Sequence, residues 1–341
     1  MESSSSHTFV ARAPVRADIA GGGSDAPPFS VEYGGAVVNC GITQFVHARV
    51  QVTPDSSAVS IRSEDYDQTV KADSLEQLEI DGALNLLKGL AKRMAPSWGF
   101  RLTIESDVPP GCGLGSSGAV GVACVRAFDA AMGVERSQEQ TAELGNSVER
   151  EDLGMAGGCQ DSYGAALGGM NYLKLHKGGA VSPKRLKLPD QTICELERRC
   201  VLVYTGEVHL SESIHEDIKR NYALPDSPTL DAMKNLRQIA KETREVLIQG
   251  DIERFGHMLS ANWAQHRRLH ESCNSETLQR FFSAAEPHTV GGRVCGAGGG
   301  GCALFVVSEG ERRSLEQAFL GLGGKLIPFR IDPHGVVSWR V

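Results

Sequence analysis

A chain of 341 residues holds one large domain or two ordinary ones, at roughly 150 residues per domain. Its 41% apolar and 23% charged residues belong to a globular protein and exclude the disordered and fibrous classes. A net charge of −7, with Lys and Arg scattered along the chain, leaves no basic stripe for a nucleic-acid partner.

The Ser-rich lead from Met1 to Thr8 has no apolar segment, so no secretory leader is expected. No window approaches the ~18 apolar residues of a membrane span. Val46, Ala48, Val50 and Val52 alternate with polar residues, as do Phe100, Leu102 and Ile104, and both runs read as half-buried strands. After the loop from Asp107 to Ser117, Val120, Cys124, Val125, Phe128 and Met132 follow helical spacing, with Gly133 as the stop. Ser137 and Gln140 form a capping box for a helix reaching about Glu149. The mixed stretch from Gly178 to Arg199 divides the chain into expected domains 1–190 and 191–341. Beyond it come a strand at Val201–Tyr204, a helix from Leu230 closed by Gly250, and a helix capped by Asp251. The end reads as a strand over 303–307, a helix over about 311–320 and a strand over 325–331. This succession implies α/β or α+β layers and no repeat array. The nine cysteines sit singly, with no C-x-x-C pair for zinc or redox chemistry, and imply a reducing compartment, by default the cytoplasm.

Three glycine-rich segments stand out: Ala20–Asp25, Gly111–Ser117 and Gly296–Gly301. A glycine loop entering a helix offers free backbone N–H groups and the positive end of the helix dipole to an anion. Gly111–Ser117 has a strand before it and a helix after it, the context such a site needs. No Lys follows its glycines and it has no G-x-G-x-x-G, so it is neither a Walker A loop nor a dinucleotide fingerprint. The alternative is a plain turn of small residues.

Pro110-Gly111-Cys112-Gly113-Leu114-Gly115-Ser116-Ser117 resembles the P-x-x-x-G-L-G-S-S signature of the GHMP kinases: galactokinase, homoserine kinase, mevalonate kinase and phosphomevalonate kinase. The resemblance extends to Ala13–Asp25 and to Gly296–Gly301, in the family's order and over nearly the whole chain. Ala20–Pro28 and Glu149–Gly154 look most similar to D-glycero-D-manno-heptose 7-phosphate kinases, with L-fucokinases as relatives. What this implies is a two-domain α+β fold: an N-terminal part like ribosomal protein S5 domain 2, then a ferredoxin-like sandwich. It also implies ATP and Mg²⁺, a small sugar or sugar phosphate as partner, and a monomer or homodimer.

By the same resemblance, Pro110 to Ser117 would wrap the triphosphate, and Ser117 and Glu149 would bind Mg²⁺. Asp161 would stand beside the acceptor hydroxyl, as base or as orienting group, and Arg16 would neutralise phosphate or hold Asp161. Gly23, Ser24 and Asp25 would meet sugar hydroxyls, and Gly298 would bring backbone close to the acceptor. Each has a plainer alternative: a helix cap for Asp161, a solvated carboxylate for Glu149, a turn residue for Asp25, a surface Arg for Arg16, a tight connection for Gly298. The chain departs from the heptose kinases at Arg293-Val294-Cys295, at Glu207-Val208-His209 and at His266-Arg267-Arg268. His209, His266, Arg267 and Arg268 are therefore candidates for an anionic substrate group. The implied reaction is phosphorylation of a sugar hydroxyl, the anomeric one by analogy. A catalytically silent sugar and ATP sensor, or an isoprenoid-type kinase, are the alternatives.

Overall fold

The alternation read along the first half belongs to a single sheet. The structure, a computed structural model, describes residues 7–207, 211–222 and 228–341. Its first half runs β1 (Thr8–Ala20), α1 (Phe29–Tyr33), β2 (Gly35–Thr53), β3 (Val59–Ser63), β4 (Gln68–Ala72), α2 (Asn85–Met94), β5 (Gly99–Ser106), α3 (Ser116–Met132), α4 (Gln138–Ser147), α5 (Gln160–Leu167), β6 (Met170–Leu175) and β7 (Val181–Arg185). With 19 residues, β2 serves two partners on one edge: Gly35–Cys40 pairs with β6 and Val46–Thr53 with β5. On its other edge it pairs with β1 through two register shifts, beside Arg16 and between Asp18 and Ala20. Such shifts re-aim side chains locally, and these fall beside Arg16 and Asp18.

α3 packs on this sheet with Val122, Cys124, Val125 and Phe128 fully buried, and Phe128 meets Phe100 edge-on at 5.1 Å. Its end at Gly133, in the left-handed region, is the stop its spacing predicts. The capping box of α4 forms as predicted, but the chain then continues through one π-helical turn, Val148–Asp152. Such turns insert one extra residue and favour functional positions. This one carries Glu149.

The second half runs α6 (Asp190–Arg199), β8 (Cys200–Tyr204), α7 (Ser211–Tyr222), α8 (Pro228–Gln249), α9 (Ile252–His266), α10 (Glu276–Ala285), β9 (Thr289–Val294), β10 (Cys302–Val307), α11 (Arg312–Gly321), β11 (Lys325–Leu326) and β12 (Val337–Arg340). Its antiparallel sheet is ordered β11-β8-β10-β9. The strand expected over 325–331 stops after two residues. Pro328 has no N–H for the ladder, and the chain crosses to the first sheet, where Ile331 bridges Ile42. β12 then pairs with β1, so the chain ends on the first sheet. No helix among the described residues is long and apolar enough to cross a membrane.

The two sheets are locked together by a buried ion pair. Arg293 of β9 donates to both oxygens of Asp18 on β1, at 2.8 and 3.1 Å, with both side chains wholly buried. Burial pushes the Asp18 carboxyl up, and Arg293 and then Arg16 oppose it. Removing one member of such a pair strands the other charge, which costs far more than the pair contributes. Arg293→Met should therefore lower stability by about 3–5 kcal/mol. Adding Asp18→Asn should recover most of that loss. Urea midpoints of the two variants check both steps, and an unchanged single variant would contradict the lock.

Candidate active site

α3 begins directly after the glycine loop, with Gly115 as a left-handed N-cap whose side chain offers no cap. No acidic residue stands in its first turn, so the positive end of the helix is left uncompensated. The loop is pinned by backbone bonds to both halves: Arg16 N–H donates to Leu114 O at 3.0 Å and Cys302 N–H to Cys112 O at 2.7 Å. At Gly113, φ is +83° and a Cβ would stand 2.8 Å from Cys295 O, so only glycine lets the two glycine-rich segments touch. At Gly118, a Cβ would meet that of Asp161 at 2.6 Å, which sets how closely α5 approaches α3.

This junction floors a cleft of about 640 Å³. Of the predicted residues, Pro110, Gly111, Gly113, Gly115, Ser116, Ser117, Glu149, Asp161, Arg16, Gly23 and Asp25 line it. Cys112 and Leu114 turn into the core and contribute backbone only. Ser24 is fully buried, bonded through its hydroxyl to the backbone of Ala36, and holds its own turn. Gly298 packs against His266 and Cys273 while its neighbours Gly296 and Ala297 reach the cleft.

Arg16 holds Asp161, one of the two roles the sequence left open. Its Nε and Nη2 both donate to Oδ1, at 2.9 and 2.7 Å, while Nη1 donates to Gly113 O at 2.7 Å. Both bonds fall on one oxygen, which leaves Oδ2 to a ligand. Glu149 is 1% exposed and neither of its oxygens has a hydrogen-bond partner. Arg150 stands 3.5 Å away without hydrogen-bond geometry. Burial pushes the Glu149 carboxyl up, against Arg150 and the nearby Ser117 hydroxyl. Asp25 accepts from the N–H groups of Gln160, at 3.0 Å, and Gly23, at 3.2 Å.

The comparisons with known proteins identify the family. Residues 85–169 match the family model of the GHMP kinases N terminal domain, and residues 233–322 that of the GHMP kinases C terminal. The chain belongs to the GHMP kinase family. With it, the protein is a phosphotransferase acting on a small-molecule hydroxyl. It is 29% identical to the D-glycero-alpha-D-manno-heptose 7-phosphate kinase of Campylobacter jejuni, over 98% of this chain and 99% of that one. A solved D-glycero-D-manno-heptose 1-phosphate kinase from Bacteroides thetaiotaomicron superposes with a TM-score of 0.81 at 29% identity, covering 98% and 99% of the two chains. A bifunctional fucokinase/GDP-fucose pyrophosphorylase of Arabidopsis thaliana is 28% identical over 88% of this chain and 30% of its own length.

Among the departures within this GHMP kinase, His266 lines the cleft, but burial and then Arg293 push its pKa down to about 3, so it stays neutral and supplies no cation. Arg267 and Arg268 are exposed and lie outside the cleft lining, and His209 lies outside the described residues. Arg293 does not reach substrate at all; it is the core lock described above. The sequence reading missed Asn85, Arg150, Gln160 and His215, all of which line the cleft. Asn85 carries a buried Oδ1 without a partner, and a polar residue opening the apolar run Leu86, Leu87, Leu90 was its only signal. His215, on α7, is lowered to about 4, chiefly by burial, with Arg150 and Arg16 adding to it against Asp161.

Burial, abetted by Asp161 and Asp18 and opposed by the Gln160 amide, pushes Asp25 up to about 6 from an ordinary 3.8. A carboxyl raised on folding binds its proton more tightly in the native state, so stability falls as pH rises from about 4 to about 6. Summed over that window the Asp25 share is about 3 kcal/mol. Asp25→Asn should flatten the fall by about one proton. Urea unfolding from pH 4 to 7 reads the difference in slope, and parallel curves would refute the assignment.

Proposed function

We propose that this kinase transfers the γ-phosphoryl group of ATP to the anomeric hydroxyl of a heptose phosphate, in the presence of Mg²⁺ and within the cytoplasm. The observation that supports this best is the convergence of three groups in one cleft: the uncapped N-terminus of α3, the unpartnered Glu149 and the half-used Asp161.

Phosphoryl transfer asks for positioning and charge neutralisation more than for covalent chemistry. The backbone N–H groups of Gly111 to Ser117 and the α3 dipole suit the triphosphate. The base end falls to the far side of the cleft, where Tyr66, Leu84, Asn85, Leu86 and Ile104 form its wall. Glu149 and the Ser117 hydroxyl fit Mg²⁺, because a buried carboxylate without donors is the hard oxygen ligand that ion takes. No cluster of three metal-ligating side chains occurs among the described residues. That fits a site completed by phosphates and water. When bound, the ion would neutralise charge on the transferring group. Asp161 would accept the acceptor's hydroxyl hydrogen at Oδ2 while Arg16 fixes the carboxylate from Oδ1. Asp25, whose two oxygens face adjacent polar groups, would receive sugar hydroxyls. All nine cysteines are free thiols, which suits a reducing compartment.

The likeness to the plant bifunctional fucokinase supports L-fucose as the second acceptor to try. ADP release on heptose phosphates, L-fucose, D-mannose and galactose identifies the acceptor. Asp161→Asn should lower kcat by ~10²–10⁴-fold with the ATP KM little changed. Glu149→Gln should raise the Mg²⁺ concentration needed for half-maximal rate. Full turnover by the Asp161 variant would defeat the assignment, and ATP binding without turnover on any acceptor would favour a silent sensor.

A further inference from the structure

The cleft does not end at Asp25. A second cavity, of about 610 Å³, opens from it, and Gly23, Arg150, Met155, Ala156, His215 and Ile218 are walls of both. Beyond those shared walls it lies between the Ala26–Pro28 turn, the Gly154–Gly157 loop and one face of α7 that presents Lys219, Arg220 and Tyr222. Among the described residues its cations are Arg150, Lys219 and Arg220, and its one lining carboxylate is Glu216. This excess stands out in a chain whose net charge is −7.

The three cations are held differently. Arg150 is anchored from within: its Nη1 donates to the carbonyls of Ala156 at 2.7 Å and Met155 at 3.2 Å. Its Nη2 stands 3.5 Å from Glu149 Oε2 and its Nε is buried without a partner, so the guanidinium is fixed in place with donor capacity to spare. Arg220 is tied to Asp217 at 2.7 Å, at the rim. Lys219, also at the rim, has no carboxylate partner among the described residues. A fixed guanidinium and an exposed ammonium lining one cavity suit a compact dianion with several acceptor oxygens, not a ring of neutral hydroxyls.

We propose that this second cavity is the subsite for the acceptor's own phosphate group, with Arg150 and Lys219 as its ligands. The inference rests on the sugar-kinase reading and adds to it where in the fold the acceptor's phosphate is held and by which side chains. Asp161 holds the reacting end, and the second cavity, past Asp25 and Gly23, holds the phosphate. Preference for the phosphorylated sugar then comes from α7 and the Gly154–Gly157 loop, not from Arg267 or Arg268.

Lys219→Ala and Lys219→Glu test this, since Lys219 is exposed and lies outside the catalytic groups. Each is assayed with D-glycero-D-manno-heptose 7-phosphate and with the same heptose lacking phosphate. Loss of one charge-assisted contact should raise KM for the phosphorylated sugar about 10-fold in the Ala variant, more in the Glu variant, with kcat unchanged. The unphosphorylated sugar should show no change. In parallel, calorimetric titration of inorganic phosphate, with saturating ADP filling the nucleotide end, should show binding that the Glu variant loses. An unaltered preference in both variants, with unaltered phosphate binding, overturns the subsite. Absence of turnover by the native protein on either sugar, with phosphate binding still dependent on Lys219, leaves the subsite standing and removes the proposed reaction instead. An effect of Lys219→Ala on both sugars alike would make Lys219 a general structural residue and would also overturn the proposal.

Discussion

The backbone contact between two glycine-rich segments, one from each half of the chain, is the constraint on which the site depends. Gly113 and Gly296 approach so closely that a Cβ on either would stand 2.8 Å from a carbonyl oxygen of the other segment. Cys302 N–H bonds to Cys112 O, and Gly301 in turn is bonded in both directions to the segment following β8 through Thr205 and Glu207. These are obligatory backbone pairings in a buried place, where an unmade bond costs about 1–3 kcal/mol. The loop that starts α3 is therefore held by the second sheet as well as by the first. Its conformation does not wait for a ligand.

Around this joint the charges fall into an order that separates structure from chemistry. Asp18 has both oxygens taken by Arg293 and is spent on joining the sheets. Asp161 has one oxygen taken by Arg16 and one left over. Glu149 has none taken, and Asp25 has backbone donors but no cation within hydrogen-bond reach. Desolvating an anion without compensation is costly, and sites that keep such groups keep them for a partner that arrives later. The degree to which each carboxylate is already paired thus ranks its availability to a ligand. That ranking supports the proposed roles of Glu149 and Asp161 and leaves Asp18 to structure.

Much of the architecture was legible because it rests on local rules. The period-2 runs at Val46–Val52 and Phe100–Ile104, the Gly133 stop and the Ser137–Gln140 box each follow from side-chain direction or capping, which a short window contains. What escaped depended on distant partners. β12 is four residues long and exists as a strand because β1 offers an edge. The π-helical turn that carries Glu149 is indistinguishable in sequence from a frayed helix end. Arg293 reads only as a departure from the heptose kinases until the fold brings it to Asp18, and Ser24 as a sugar ligand until its hydroxyl is seen bonded to Ala36. The motif residues were visible because glycine has a steric meaning of its own. Asn85 and His215 carry no such mark, and only the shape of the cleft selects them.

The glycine loop carries no lysine, and the close packing around it shapes how a polyanion can be met. A triphosphate brings several negative charges into a cleft within a protein that is itself at −7. A Walker A loop meets this with its own lysine. Here the loop is pressed against the second glycine segment, and a long side chain at Gly113 or Gly115 would collide with Cys295 or with the Arg16–Asp161 pair. Positive charge must come from outside the loop. The uncapped start of α3 provides part of it, with no first-turn acid to weaken it. A hard cation at Glu149 would supply the remainder. Tight glycine packing and an unpaired buried carboxylate are therefore complementary: the first fixes a loop that carries no cation of its own, and the second would hold one.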